Sequence, residues 1–197
     1  MGTAEKKRAL ALLLAAARWV KGLTVLFEDE TTVQLAPTLL RQWGVRGQQP
    51  TVPTWPGGHR RVHCFGALHV RTGRFHRRFA PRMTAAVFAA FLRQLLRRYR
   101  RGWVVVIVDN AGWHRGPAIR AVTEAHPRLG LFFLPRYCPR WNPVDWVWKE
   151  LRRTASHNVF FGALDCLQAA LGHALTRLTH DHAWGRRLIR KAGYAIC

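Results

Sequence analysis

The spacing of apolar positions changes several times along the chain, and each change marks an element. The run "KKRALALLLAAARWV", Lys6 to Val20, is rich in Ala and Leu, which lose little side-chain freedom in a helix, and predicts an opening helix. "GLTVLFEDETTVQL" begins with apolar and β-branched residues and then turns acidic, predicting a strand that ends in acids and continues into a second. Prolines and glycines between Ala36 and His59 predict a loop-rich excursion without a core of its own. "RRVHCFGALHV" and "RFHRRFA" flank Arg71-Thr72-Gly73, which predicts a hairpin. Thr84 is placed to cap a helix whose Val87, Phe88, Phe91, Leu92 and Leu95 share one face.

Val104 to Val108 are apolar without alternation, the mark of a strand covered on both faces, and Asp109 stands at its carboxyl end. A helix then starts near Gly116-Pro117, and "LGLFFLP" supplies another short strand. Beyond it, Val144, Val147, Trp148 and Leu151 form a buried helical stripe, with Asn142 as the cap, Pro143 at the first position and Asp145 at the third. After Gly162, "ALDCLQAALGHALTRL" reads as a further amphipathic helix with a short helical tail. The order predicts an α/β fold, a mixed five-stranded sheet with helices on both faces.

Composition adds the partner. The 197 residues, 49% hydrophobic, can bury one sizeable core, which excludes a disordered tail. Lys and Arg number 32 against 10 Asp and Glu, a formal charge of +22. Such a surface attracts polyanions, and arginine forks match phosphate geometry, so DNA or RNA is the expected partner. Cys64, Cys138, Cys166 and Cys197 form no C-x-x-C pair, which fits free thiols in a reducing cytoplasm. The N-terminal run imitates a secretory leader, but Glu5 and Arg18-Trp19 interrupt the pattern, and no segment is apolar over the ~18 residues that span a membrane.

Carboxylates are conspicuous in so basic a chain. Open α/β sheets gather ligands at the carboxyl ends of their strands, where Asp29 and Asp109 are expected, and the first turn of the helix carrying Asp145 can face the same crevice. Three carboxylates in one cleft repel one another, so the arrangement makes physical sense with cations in it. Hard oxygen donors suit Mg²⁺, and two such ions about 3.5–4 Å apart can activate an attacking oxygen and stabilise the leaving one. Phosphodiester chemistry on nucleic acid follows. Glu30 is expected on the opposite side of the strand from Asp29. Glu28 is given less weight still, and Glu150 reads as a solvent acid. Trp148 reads as core or cleft wall, with Trp141 and Trp146 open to base stacking, and "RQLLRRYRR" either tracks a DNA backbone or is a solvated helix face.

"FEDET", "VDNAGWH" and "LPRYCPRWNPVDWVWKELR" resemble, in order and register, the catalytic motifs of the DDE transposases of bacterial insertion sequences in the mariner superfamily. "RRVHCFGALHVRTGRF" resembles that family's hairpin, so the likeness covers about residues 20 to 160. Asp109 and Asp145 are separated by 35 residues, close to the family spacing. The resemblance implies an RNase H-like fold and Asp29, Asp109 and Asp145 as ligands of two Mg²⁺ or Mn²⁺ ions, with Glu30, Asn110 and His114 supporting them. It implies hydrolytic nicking at element ends and strand transfer by a 3′-hydroxyl into target DNA. One position departs from the pattern: the insertion-sequence branch commonly carries glutamate where Asp145 stands, and aspartate is typical of the mariner branch.

The implied division is 1–22 as N-terminal helix and linker, 23–160 as the catalytic domain and 161–197 as a helical extension. Family members carry helix-turn-helix modules ahead of the catalytic domain, and only about twenty residues stand there in this chain. The expectation is a split gene, a truncated remnant, or end recognition by a separate upstream chain. DNA ends and target DNA are the expected partners, together with a homodimer, in a cytoplasmic, nucleoid-associated setting and with no membrane. The alternative from a different class is an inactive or repurposed DNA-binding remnant. A third reading is a nuclease without strand transfer.

Overall fold

Strand β1, Leu23–Gln34, runs through the middle of the molecule, and its alternation divides the core in two. Val25, Phe27 and Val33 point to one face and Leu26 to the other. The structure is a computed structural model that describes residues 2–54, 59–135 and 141–194. Helix α1 (Thr3–Trp19) precedes β1, and β2 (Arg61–His69), β3 (Phe75–Ala80), α2 (Ala85–Arg98) and β4 (Trp103–Val108) follow it. A 3-10 turn (Gly112–His114), α3 (Pro117–Ala125), β5 (Leu129–Phe133), α4 (Val144–Ala155), α5 (Leu164–His180) and α6 (His182–Lys191) complete the described chain.

The five strands lie in the order β3-β2-β1-β4-β5, with the β1–β2 and β2–β3 pairs antiparallel and the β1–β4 and β4–β5 pairs parallel. This is the mixed sheet expected from the sequence. Helices α2 and α3 cover the face of Leu26, Val104, Val106 and Val108. Helices α1, α4, α5 and α6 cover the other, where Leu10, Leu14, Trp148, Leu167, Leu171 and Ile189 join Val25 and Phe27.

Two expectations need correction. The first strand does not end at its acids, nor does a second follow: β1 continues unbroken to Gln34, because β2 pairs with it from Leu26–His69 to Gln34–Arg61. What ends near the acids is the parallel pairing with β4, which stops at Phe27–Ile107. Glu28, Asp29 and Glu30 therefore sit mid-strand, paired on one edge and open on the other. Helix α4 also begins one residue late. Pro143 takes the cap position in helical conformation, and Asp145 falls at the second position rather than the third. Asn142 still caps through its side chain, its Oδ1 accepting the Val144 N–H at 3.1 Å.

The β2–β3 turn spans 70–74, and His69 Nδ1 accepts the N–H groups of Arg71 and Thr72 at 3.1 and 3.2 Å. Gly73, at φ +71°, lies directly under α6, where a Cβ would meet the His182 carbonyl. The excursion after β1 is largely exposed and is pinned by Asn158, which exchanges hydrogen bonds with the Leu40 backbone at 2.9 and 3.0 Å. Residues 55–58 of that excursion lie outside the described residues, as do 136–140. Cys64 is a buried free thiol and Cys166 an exposed one, while Cys138 and Cys197 fall outside the described residues.

Gly66 of β2 makes room for the rings of Phe75 and Trp148, since a Cβ there would run into Cζ of the first and stand 2.5 Å from Cη2 of the second. Gly66→Ala is expected to destabilise the fold by about 1–3 kcal/mol, the usual cost of overpacking a core. Urea denaturation measures it; unchanged stability would mean that Trp148 does not fix the α4–sheet spacing.

Candidate active site

The end of the parallel ladder opens a notch at the centre of the sheet, and three side chains border it. Asp29 lies on β1 two residues beyond the last β1–β4 pair, Asp109 directly follows β4, and Asp145 lies in the first turn of α4. Helix α4 is tied to this place by its own residues. Asn142 Nδ2 donates to the Glu28 carbonyl at 2.7 Å, Trp148 Nε1 donates to Asp29 Oδ2 at 3.0 Å, and Arg152 donates to Thr31 Oγ1. The stripe that buries α4 thus also aims its first turn at β1. Asn110 secures the loop after β4, donating to the Leu134 carbonyl at 2.7 Å and accepting from Arg115 at 3.0 Å.

Electrostatics show how close the acids are. Burial pushes Asp29 well above the usual carboxylate range, and the charges of Asp145, Glu30 and Asp109 push it further. Asp145 is also raised, by burial, against the pull of Lys149 and a side-chain hydrogen bond with Asp29. Asp109 is lowered, chiefly by its hydrogen bond with His114, and its Oδ1 also accepts the Ala111 N–H at 2.8 Å. The structure thus brings Asp29 and Asp145 into direct contact and Asp109 within electrostatic reach.

The other side of β1 holds a second set. Glu30 does point away from Asp29, and its Oε1 accepts from Trp113 Nε1 at 2.6 Å and lies 2.8 Å from His114 Nε2. His114, 1% exposed, places Nδ1 3.0 Å from Asp109 Oδ1 and Nε2 3.5 Å from Glu28 Oε2. Burial alone pulls this imidazole down, but its hydrogen bonds to Asp109 and Glu30 outweigh that and hold it at about 9. As an imidazolium it donates from both nitrogens, joining the two sides of the strand. Glu28, given little weight on sequence grounds, is fully buried, and among the described residues neither of its carboxyl oxygens has a hydrogen-bond partner. Burial, then Glu30, Asp29 and Asp109, push it well above its ordinary value. Strand alternation was the available signal, since Glu28 and Glu30 must share a face.

Ligand atoms of Glu28, Glu30 and His114 lie within 4.8 Å of one another, but the His114 imidazolium already supplies the cation of that set, whereas Asp29, Asp109 and Asp145 leave hard oxygen donors at an open notch. A carboxylate pair in contact, Asp29 with the half-buried Asp145, is a donor set that a divalent ion fits, because a dication relieves the repulsion that raises Asp29 and the desolvation that raises both groups. Glu150 is paired at 2.6 Å with Arg153, as a surface acid. Trp148 is core, and Trp141 and Trp146 pack against it, with Lys191 Nζ 3.6 Å from the centre of the Trp146 ring.

Residues 24–168 match the family described as DDE superfamily endonuclease. The chain belongs to that family. Among curated relatives of this DDE endonuclease chain is an uncharacterised 39 kDa protein of insertion element IS630 from Shigella sonnei, 32% identical over 68% of the chain. The protein y4pE/y4sA of Sinorhizobium fredii is 28% identical over 62% of the chain and 88% of its own length. The chain spans 39% of the length of the IS630 relative.

Among solved structures, a Mos1 mariner paired-end complex with Mn superposes with a TM-score of 0.66 at 18% identity, over 96% of this chain and 59% of that one. The Mos1 catalytic domain superposes with a TM-score of 0.58 at 13% identity, over 99% of this chain and 95% of that one. The DDE endonuclease chain therefore has the RNase H-like fold expected from its motifs, as a mixed five-stranded sheet between helices.

The buried imidazolium gives a pH dependence. A histidine raised from 6.5 to about 9 on folding contributes stability that is fully present below pH 6.5 and is lost as pH rises through 9. Glu28, raised on folding, works in the same direction, because the native state holds its proton more tightly. Thermal melts from about pH 7.5 to 10, above the range in which His69 and His76, held down to about 4 by burial, titrate in the unfolded chain, are expected to show falling stability, with a shallower fall in His114→Gln. A flat or rising profile would mean that His114 is neutral in the fold.

Proposed function

We propose that this chain is the catalytic domain of a transposase, cutting DNA at the ends of a mobile element and joining the freed 3′-ends to target DNA. In this reading Asp29, Asp109 and Asp145 are the catalytic carboxylates and hold two divalent ions, Mg²⁺ or Mn²⁺. The carrying observation is the convergence of three chain-distant aspartates on the notch where β1 and β4 part, with Asp29 and Asp145 in contact. That contact bears on the departure at the third position. With α4 held against β1 by Asn142, Trp148 and Arg152, a side chain one methylene shorter than glutamate still reaches Asp29.

Divalent ions held by Asp29, Asp109 and Asp145 would supply Lewis acidity for attack on a phosphodiester and for departure of the leaving oxygen. The protein's own part is positional. Trp148 fixes Asp29 by donating to Oδ2, and His114 and the Ala111 N–H fix Asp109. Glu30 acts through His114 rather than at the notch. The IS630 relative is an insertion-element protein, and the Mos1 matches include paired-end complexes and a strand transfer complex; both favour DNA ends and target DNA as substrates here. Residues 1–22, 23–160 and 161–197 are read as linker helix, catalytic domain and helical extension. A homodimer and an upstream helix-turn-helix chain complete the scheme, in the cytoplasm at the nucleoid. Among the described residues no helix is long and apolar enough to cross a membrane.

The test is cleavage and joining of DNA carrying the element's terminal repeats, with Mn²⁺ or Mg²⁺ and any upstream frame product. Asp29→Ala, Asp109→Ala and Asp145→Ala are each expected to abolish both steps while leaving DNA binding intact. His114→Ala is expected to cost about 10–100-fold, as for a residue that orients a metal ligand. Cutting that survives all three aspartate changes would refute the site. Wild-type binding without cutting in any divalent metal would favour the remnant reading, and cutting without joining the nuclease reading.

A further inference from the structure

The carboxyl ends of the parallel strands carry the carboxylates; the amino ends carry the opposite charge. Helix α2 ends at Arg98 and returns to β4 through Tyr99–Gly102, and β5 is entered through Arg128, so these residues gather at the pole where β1, β4 and β5 begin. Arg93, Arg97, Arg100, His126 and Arg128 line one concavity of about 500 Å³ there. A second hollow shares Arg97 and Arg100 and adds Arg98 and Arg101. From Trp103 to Asp109 the chain climbs about 20 Å along β4, at roughly 3.3 Å per residue, which separates this surface from the notch.

Its parts behave differently. Arg128 is structural: its guanidinium donates to the carbonyls of Leu96, Tyr99 and Gly102 at 2.8, 2.6 and 3.3 Å, closing the end of α2. Arg93, Arg97 and Arg100 are exposed, and among the described residues none forms an ion pair with an acid. Arg93 and Arg97, four apart on one helix, repel one another, a local cost to the helix. A merely solvated helix face relieves that cost by mixing signs, as Glu150 and Arg153 do on α4. Among the described residues no acid does this for Arg93 and Arg97.

We infer that this pole is a second DNA-binding surface, on which Arg93, Arg97 and Arg100 take backbone phosphates of a duplex segment other than the one at the notch, without reading its sequence. The inference rests on the proposed function only for the segment at the notch. The spacing supports a distinct segment. A B-form duplex laid across the amino-terminal pole lies on the far end of the sheet from Asp29 and Asp109, so the chain holds duplex at both ends of its strands. Direct base readout is not offered, since the lining side chains are arginines around a shallow hollow rather than an element shaped to enter a groove.

Salt dependence tests this without reference to cutting. The full chain, free of divalent metal, is titrated by fluorescence anisotropy with a blunt duplex carrying no element end, across a range of salt. Arg93→Gln/Arg97→Gln/Arg100→Gln is expected to lower the slope of log K against log salt by about 2.7, at roughly 0.9 for each phosphate no longer neutralised. The same three positions changed to Lys should restore most of the slope. Arg177→Gln/Arg187→Gln/Arg190→Gln, an equal charge loss on α5 and α6, should leave it nearly unchanged. An unchanged slope in the first triple, or equal falls in both glutamine triples, would overturn the surface as a specific one. The slope is read without divalent metal and without cutting, whereas the catalytic assignment is read by cutting and joining, so failure of that assignment and failure of this surface are distinguishable.

Discussion

Three consecutive carboxylates on a central strand are the constraint around which the rest is arranged. Glu28, Asp29 and Glu30 are carried into the middle of a sheet covered on both faces, where charge is costly to bury and like charges repel. Alternation sends them to two sides, and each side answers differently. On one, His114 lies between Glu30, Glu28 and Asp109, and its positive charge offsets part of the repulsion. On the other, Asp29 receives one indole N–H from Trp148 and faces a second carboxylate in Asp145. That side is left electrostatically incomplete, as a site for divalent cations would be.

The same division explains why α4 is so firmly placed. A helix whose only duty was to cover the sheet could slide by a residue at the cost of some packing. Here Trp148 is buried against Gly66, donates to Asp29 and stacks edge-on with Phe75 at 5.5 Å between ring centres, while Asn142 holds the β1 backbone at Glu28. Packing and polar contacts select the same register. Asp145 inherits its position from Asn142, Trp148 and Arg152, which hold the helix to β1.

Much of this was legible in the sequence, for identifiable reasons. The β-branched run Val104 to Val108 and the stripe Val144, Val147, Trp148, Leu151 have the periods of a buried strand and an amphipathic helix, and both formed, the helix starting one residue later than expected. The hairpin around Arg71-Thr72-Gly73 was equally plain. The continuation of β1 past its acids was not, because acidic residues have low strand propensity and only pairing with β2 keeps them extended. Glu28 was undervalued for a related reason. Alternation puts Glu28 on the face of Glu30 but does not say that the face is buried, and only the fold shows that His114 comes beside it. The concentration of arginines at one pole was likewise hidden, since Arg128 lies far along the chain from Arg93 to Arg100 and joins them only through the entry of β5.

The hairpin turn and the last helix meet at two glycines. A Cβ on Gly73 would run into the α6 backbone at His182 and Arg186, and a Cβ on Gly185 would run into the backbone of Gly73. The two positions, more than a hundred residues apart along the chain, are therefore one steric site. Neither can change alone without forcing turn and helix apart, so drift at one is bound to the other, and the C-terminal helices are locked to the sheet edge as a key is to its slot.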